Sequence, residues 1–190
     1  TGGAVKFVSK KPTREWDGWA RAGYGSWDQT KFEGAFGGPL GENTAFRAAV
    51  LKNDSDGWLK NRFTGNDQQG IDELAWRVLL ETDPSETVNV LVNVHGGRTR
   101  SDAVQYRHLG VWDAGGNMCG LADIQAGNCV DIFGYSEEIP YTTLGGVDVP
   151  AVPGYTEGNY DFEAKNDTDF WGASLTVDWS LGDYQITSIT

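Results

Sequence analysis

The chain of 190 residues is poor in cations, in metal-binding side chains and in long apolar runs. It contains 15 Lys and Arg against 27 Asp and Glu, together with two His, two Cys and one Met, and its formal net charge is −12. Without a basic stripe to neutralise phosphates, nucleic-acid binding is not expected. No stretch approaches the roughly 18 consecutive apolar residues of a membrane-spanning helix. These absences argue against a nucleic-acid-binding protein and against a helical membrane protein.

Catalytic and metal-binding motifs are also missing. Residues 134–138 begin like the nucleophile elbow of a hydrolase but lack its closing glycine. The segment Gly23-Tyr24-Gly25 lacks the third glycine of a dinucleotide-binding fingerprint. Neither His95 nor His108 stands at ligand spacing to a cysteine. We therefore expect no enzymatic activity, no catalytic residues, no metal and no cofactor.

Alternation of apolar and polar residues with a period of two is the clearest pattern in the chain, and it predicts β-strands. One face of residues 73–82 carries Leu74, Trp76, Val78, Leu80 and Thr82. One face of residues 87–95 carries Val88, Val90, Val92 and Val94. Residues 83–86 between them are polar and contain Pro84, which favours a tight turn. The two runs are therefore predicted to form a hairpin.

Similar alternation predicts further strands in residues 16–27, 30–38, 44–52 and 170–181, and an unfinished strand in residues 184–190. In the run 170–181, Trp171 and Trp179 lie near the two ends of one apolar face. Such placement is typical of the aromatic girdles of membrane barrels. Taken alone, this strand fits a soluble β-sandwich with tryptophans in its core equally well. The eight Trp of the chain favour the barrel.

Short and long connections alternate along the predicted strands. The turns at 39–43, 83–86 and 182–183 are short, whereas the connections near 54–72 and 98–167 are long. Outer-membrane barrels have short periplasmic turns and longer extracellular loops. A compact soluble domain rarely contains an unstructured connection of about 70 residues. The alternation therefore favours a barrel wall, with the short connection near Asp28 as its exception.

The first thirteen residues form a short amphipathic segment that starts with Gly2-Gly3 and ends near Pro12. This segment resembles the end of the plug domain of TonB-dependent outer-membrane receptors. A looser similarity to the barrel of that family occurs in residues 128–131 and in Gly134-Tyr135. The resemblance implies that residues 1–13 are the last strand of a plug domain and that residues 14–190 are the N-terminal part of a transmembrane barrel.

The fold implied by the resemblance is all-β: an antiparallel transmembrane β-barrel segment with about seven strands of a 22-stranded barrel. The implied function is TonB-dependent uptake of a scarce solute across the bacterial outer membrane, with a ferric siderophore first and vitamin B12 or saccharides after it. The implied partners are TonB with ExbB and ExbD, the small-molecule ligand and outer-membrane lipid. The start at Thr1-Gly2-Gly3 and the unfinished last strand suggest an internal fragment of a longer protein.

Cys119 and Cys129 are the only cysteines, and they lie inside the longest predicted loop. An even pair that closes a short loop suggests a structural disulfide formed in an oxidising compartment. A redox or metal pair and two free thiols are the alternatives.

The long loops are the expected place of ligand binding because loops on a rigid scaffold carry most binding residues. The candidate ligand-binding residues there are Tyr106, His108, Trp112 and Tyr135. The alternative is that the loop aromatics pack the loop against itself. Inward polar residues, namely Arg47, Glu73, Arg77, Asn89 and Asn93, are candidates to line the passage of the solute. Arg77 and Glu81 are more readily explained as contacts to the plug.

A secreted or surface β-sandwich that binds glycans through exposed aromatics is the alternative from another class. It would cover the Val88, Val90, Val92 and Val94 row with a second layer of the same chain. A barrel wall would leave that row bare.

Overall fold

The structure is a computed structural model. It describes residues 2–5, 8–105, 111–130, 141–144, 147–150, 156–158, 160 and 162–190. The chain divides into two compact units. The first, which we call the sheet unit, comprises Thr1–Ser55, Ile71–Ser101 and Asn166–Thr190, and the second, the loop unit, comprises Asp56–Gly70 and Asp102–Lys165.

Strands make up 62% of the chain and helix 2%. The elements in chain order are β1 (Asp17–Tyr24), β2 (Thr30–Pro39), β3 (Thr44–Ser55), β4 (Leu59–Asn61), β5 (Asp67–Gln68), β6 (Ile71–Ser85), β7 (Val88–Asp102), β8 (Trp112–Asp113), α1 (Leu121–Gln125), β9 (Cys129–Val130), β10 (Tyr141–Leu144), β11 (Val147–Pro150), β12 (Glu157–Gly158), β13 (Lys165–Leu181) and β14 (Tyr184–Ile189). The prediction of an all-β fold is therefore confirmed.

The sheet unit contains one seven-stranded sheet in the order β1-β2-β3-β6-β7-β13-β14. Neighbouring strands run antiparallel, as the hairpin pattern predicts. The sheet is open, because among the described residues β1 and β14 each pair with a single neighbour.

The strands of the central hairpin are longer than their alternation predicts. β6 and β7 extend beyond the predicted runs 73–82 and 87–95 and meet at a turn over residues 86–87. The predicted turn at 83–86 is therefore wrong in position. The register shifts between Thr82 and Ser85. A bulge at this point admits Pro84, which cannot donate a ladder hydrogen bond, without ending the strand.

The prediction that residues 1–13 form one strand is also wrong. The described residues in this stretch, 2–5 and 8–13, are outside any strand. A strand needs a neighbour for its backbone hydrogen bonds, and no described strand pairs with this segment. Its apolar residues Val5 and Val8 are exposed.

The loop unit is built from the two long connections, the first between β3 and β6 and the second between β7 and β13. The connections predicted as long loops contain short strands and one short helix. β4 pairs with β5 and, in parallel, with β12, while β8 pairs with β9 and β10 with β11. β4 and β12 come from different connections, so the parallel pair joins the two connections within this unit.

The register separates the sheet into an apolar face and a polar face. One row across β2, β3, β6 and β7 consists of Phe36, Ala48, Val78 and Val94. The next row, on the opposite face, consists of Gly37, Arg47, Leu79 and Asn93. This matches the two faces that the alternation of residues 73–82 and 87–95 predicts.

Among the described residues of the sheet unit, no second sheet lies against the apolar face, since all seven strands belong to one layer. The valine row of β7 is half-buried, and Val78 on β6, which pairs with Val94, is 44% exposed. At one end of the face, Trp16 stacks on Phe36 with ring centroids 5.4 Å apart, and Phe46 lies edge-on to both at 6.0 Å.

Candidate functional site

Arg47 is the most buried charged residue described in the sheet, with 7% of its surface exposed. It lies on the polar face of β3, and its Nη1 donates to Oδ1 and Oδ2 of Asp17 on β1 at 2.8 and 3.1 Å. Lys10 donates to the same carboxylate. A buried guanidinium needs such a partner, because removing it from water without one is costly. The polar face is therefore organised by charge pairs.

The N-terminal segment lies on this polar face. The guanidinium of Arg77 donates to Oγ of Ser9, and Nζ of Lys11 is 3.5 Å from Oε1 of Glu81. These are the two sheet residues that the sequence assigns to contact with this segment. Pro12, the residue after Lys11, is buried.

The same segment is held at the turn end of the sheet. Arg14 forms an ion pair with Asp83 on β6. Nδ2 of Asn89 on β7 donates to Asp83 Oδ1 at 2.7 Å and to Glu81 Oε1 at 3.2 Å. The two carboxylates that pair with the N-terminal segment are therefore also hydrogen-bonded to the neighbouring strand. The polar residues that the sequence proposes as a passage lining thus make contacts within the sheet.

Two further passage candidates also bond across strands. Nδ2 of Asn93 donates to Oγ of Ser174 at 3.3 Å, and Glu73 accepts from Nδ2 of Asn53 at 3.3 Å. The structure therefore brings Arg47, Arg77, Asn89, Asn93 and Glu73 onto one face.

Charged side chains form a band at the end of the apolar face where the strands lead into the long connections. Lys52 donates to Asp72 and, at 2.9 Å, to Oδ2 of Asp54. Arg98 lies 3.6 Å from Asp72, and Arg100 pairs with Asp169. Sequence reasoning missed this band. Its residues on β3, β6 and β7 point to the same face as the apolar residues, so the alternation of side chains could have predicted their position.

Of the four predicted ligand-binding residues, Trp112 is described, and it is 53% exposed. It lies in β8, opposite Val130 of β9. Tyr106, His108 and Tyr135 lie outside the described residues. The structure thus places one candidate, the exposed Trp112, in the β8–β9 pair, and the other three stay predictions.

Cys119 and Cys129 form a disulfide beside this hairpin. Asp113, paired with Cys129, accepts the backbone N–H of Asn117 at 2.8 Å. This hydrogen bond, together with those from the Asn117 side chain and from two glycines, lowers the pKa of the Asp113 carboxyl. The chain reverses tightly here, with φ +80° at Gly116, a conformation that favours glycine.

The loop unit contains a second polar cluster, centred on the fully buried Asn61 of β4. Its Oδ1 accepts the backbone N–H groups of Phe63 and Tyr160, at 3.0 and 3.1 Å, and its Nδ2 donates to the carbonyl of Tyr160 at 2.8 Å. One asparagine thereby ties the two connections together. Single-sequence patterns carry no signal for this pairing, because the partners are separated by 99 residues.

Glu163 completes the cluster. Its carboxylate accepts from Thr64 Oγ1, from Asn66 Nδ2 at 3.1 Å and from Asn61 Nδ2 at 3.4 Å. The hydrogen bond from Thr64, followed by those from Asn66, lowers the pKa of Glu163 against the opposing effect of burial. The cluster is a structural tie, since its polar atoms are used in internal hydrogen bonds.

No group of three or more His, Cys, Asp or Glu side chains within the described part of the chain is arranged to hold a metal ion. Among the same residues, no helix has the length and apolar character needed to cross a membrane.

No protein-family model, no curated protein and no solved structure matches the chain.

Proposed function

We propose that this chain is a section of the wall of an outer-membrane transport barrel, with an N-terminal segment that belongs to its plug. In this proposal the protein takes up a scarce solute, a ferric siderophore, across the bacterial outer membrane with energy supplied through TonB, ExbB and ExbD. The single observation that carries the proposal is a one-layer sheet with a bare apolar face and a polar face on which the N-terminal segment lies.

The apolar face supports contact with lipid. A one-layer sheet in water would expose a large contiguous apolar surface, which soluble monomers rarely do. Trp76, Val78, Leu175 and Trp179 are all between 39% and 45% exposed on it. Hydrocarbon is the environment in which such a surface is stable.

The length of the apolar stripe also agrees with the thickness of the hydrocarbon layer of a membrane. Along β13, alternate residues from Trp171 to Leu181 form one apolar stripe, and ten residues at about 3.3 Å each span about 33 Å. A strand tilted by about 40° would span about 25 Å of membrane, which is the height of the apolar band of outer-membrane barrels. Trp171 and Trp179 stand near the two ends, and the charged band of Lys52, Arg98 and Arg100 follows at the loop end.

The polar face supports a lumen filled by other parts of the protein. Ser9, Lys10, Lys11 and Arg14 all contact side chains of the sheet. Exposed ion pairs of this kind contribute about 0–1 kcal/mol each and are screened by salt. Contacts of this strength can keep the segment in a defined position and can still be broken when the segment moves.

The proposal is tested by measuring which face meets lipid. The chain is folded into phosphatidylcholine vesicles with an unnatural spin-labelled amino acid at Leu175 or at Thr176, which are adjacent and point to opposite faces. We expect the label at 175 to be accessible to oxygen, which concentrates in the bilayer, and the label at 176 to a water-soluble nickel chelate. Equal accessibility at the two positions would contradict the proposal.

Uptake is tested separately in cells. A strain that lacks the parent gene is grown under iron limitation with single defined siderophores, then with vitamin B12 as the required nutrient. Loss of growth on one compound, restored by the gene, identifies the solute. Normal growth on every siderophore would contradict the siderophore as substrate.

The glycan-binding β-sandwich stays the alternative of another class. A sandwich packs two sheets face to face, whereas the sheet unit contains one. In the spin-label measurement a sandwich would make position 175 inaccessible to both reagents.

A further inference from the structure

The three-stranded sheet β12-β4-β5 of the loop unit has one exposed face and one buried face. On the exposed face, Lys60 and Asp67 pair in the register, with Nζ 3.2 Å from Oδ1. On the buried face, Leu59 pairs with Gln68, and the two residues are 4% and 2% exposed. Asn61, two residues along β4 from Leu59, faces the same side and is fully buried. This small face therefore buries two carboxamides.

The two carboxamides differ in their hydrogen bonds. Asn61 uses both ends of its side chain, which bind the backbone of Phe63 and Tyr160. Oε1 and Nε2 of Gln68 are buried without a hydrogen-bond partner in the part of the chain that the structure describes. Most buried side-chain polar atoms have a partner, so an amide with both ends unpaired is exceptional. The free energy needed to remove this amide from water is therefore not recovered while β5 is paired with β4.

The residue after β5 is also in an unfavourable conformation. Gln69 has φ +67°, in the left-handed region that favours glycine. Its Nε2 donates to the carbonyl of Ala103 at 2.7 Å. The backbone N–H of the next residue, Gly70, donates to Oδ2 of Asp102 at 3.1 Å. Backbone strain of this kind persists only where the surrounding structure imposes it, so breaking these two hydrogen bonds would release it.

β5 itself is weakly attached. It consists of two residues, lies at the edge of its sheet and pairs with β4 alone among the described strands. Its backbone packs on Gly57, where a Cβ would lie 2.4 Å from the carbonyl oxygen of Gln68 and 2.5 Å from its nitrogen. Segments with few backbone hydrogen bonds open locally at a fraction of the free energy of global unfolding. Residues 67–70 therefore combine a short attachment with two unfavourable features.

We propose that residues 67–70 form a latch, which opens away from β4 while the rest of the loop unit stays folded. In the closed form, which the structure shows, the Gln68 amide is unpaired and Gln69 is left-handed. In the open form the amide is hydrated and Gln69 returns to an ordinary backbone conformation. The hydrogen bonds of Asn61 do not involve the latch and hold the two connections together in both forms. Opening uncovers Leu59, the partner of Gln68 in the register.

The latch goes beyond the proposed function, because it concerns the loop unit alone. It operates whether the sheet meets lipid or water, and whichever solute is taken up. Its test needs the folded chain in detergent micelles, whereas the spin-label test needs a bilayer. The two proposals can therefore fail independently.

The test measures how often Leu59 becomes accessible. The two native cysteines are bonded to each other, so a cysteine introduced by Leu59→Cys is the only free thiol of the chain. Val111→Cys is the matched control, since Val111 is an aliphatic residue of the loop unit that is also 4% exposed. We expect the thiol at 59 to react with a maleimide at least about 10-fold faster than the thiol at 111, because opening of the latch uncovers it. Equal rates, or a faster reaction at 111, would overturn the proposal.

Variants in the Leu59→Cys background then test the cause of opening. Gln68→Met keeps the length of the side chain and removes the unpaired amide, so labelling should slow about 10-fold. Gly57→Ala should speed labelling, because the added methyl displaces the backbone of Gln68. Gln185→Met changes an exposed carboxamide on β14 and, as the control, should leave the rate unchanged. Circular dichroism identifies any variant that fails to fold. The Gln68→Met variant is expected to fold, and unchanged or faster labelling in it would overturn the proposal.

Discussion

At the scale of single residues, Gly37 lies where β2 leaves no room for a side chain. A Cβ at this position would be 2.5 Å from the carbonyl oxygen of Phe46 and 3.2 Å from the Cα of Arg47. Both atoms belong to the backbone of β3, so neither can move away without moving the strand. Close approach, more than turn geometry, explains this glycine.

We predict that Gly37→Ala destabilises the sheet by roughly 1–3 kcal/mol, because the added methyl overpacks a strand interface. The measurement is the midpoint of urea unfolding in micelles. The matched control is Gly23→Ala on the neighbouring strand β1, because a Cβ at Gly23 would have no atom within 4 Å. Equal midpoints for the two variants would mean that β2 and β3 are farther apart than described.

Glu163 gives a pH-dependent tie in the loop unit. Its pKa is lowered, first by the Thr64 hydroxyl and then by Asn66, so the ionised form is favoured in the folded state. A depressed carboxyl pKa contributes stability above the ordinary glutamate pKa, and this stability is lost as the pH falls through the lower folded value. The tie therefore weakens in acid.

We predict that amide protection in residues 61–66 decreases as the pH falls below the ordinary glutamate range. Glu163→Gln should show reduced protection already at neutral pH and little further change in acid. The measurement is hydrogen exchange, expressed as protection factors so that the intrinsic pH effect is removed. Glu157→Gln, an exposed carboxyl outside the cluster, is the control, and a loss of protection as large as that of Glu163→Gln would argue against the tie.

At the scale of elements, the ring closed by Cys119 and Cys129 contains α1, a helix of five residues. So short a helix is marginal by itself. Its N-cap residue Gly120 has no side chain to cap the first turn. The disulfide is therefore the main local constraint on this segment.

We predict that replacing both cysteines by serine lowers the stability of the ring by roughly 2–3 kcal/mol, as expected for a loop of this length. Cleavage within residues 120–128 in limited proteolysis should accelerate. The unfolding of the sheet should change little, because β8 and β9 do not join its ladder. Thiol reduction of the unmodified chain should reproduce the effect, and an unchanged cleavage rate after reduction would contradict it.

At the scale of the whole molecule, the two faces of the sheet have opposite requirements. Val50 and Leu51 are adjacent on β3, and the register places Val50 with Trp76 on the apolar face and Leu51 with Ala75 on the polar face. If the apolar face meets lipid, a charge is costly there and tolerable on the other side.

We predict that Val50→Arg destabilises the chain in vesicles by about 2–4 kcal/mol, the cost of an arginine near the bilayer midplane. Leu51→Arg, the matched control, should cost much less, because Glu33 lies beside it in the register. The measurement is reversible urea unfolding in phosphatidylcholine vesicles. A larger loss for the Leu51 variant would reverse the assignment of the faces.

Alternation predicted the strands and their faces well because the period of two follows from backbone geometry alone. The faces of residues 73–82 and 87–95 are those in the structure. The ends of β6 and β7 were missed, because residues beyond the apolar run pair with a neighbour irrespective of their polarity. The strand predicted over residues 1–13 failed for the converse reason, since its amphipathic pattern has no neighbour to pair with among the described strands.

The sequence by itself determined that this chain is built of antiparallel strands, with one face apolar and the other polar, because side-chain alternation is a local property. Only the tertiary structure decided that Ser9 and Lys11 lie against Arg77 and Glu81 and that Asn61 binds Tyr160. Those contacts join residues far apart in the chain, and their energies depend on a register and a strand order that no local pattern specifies.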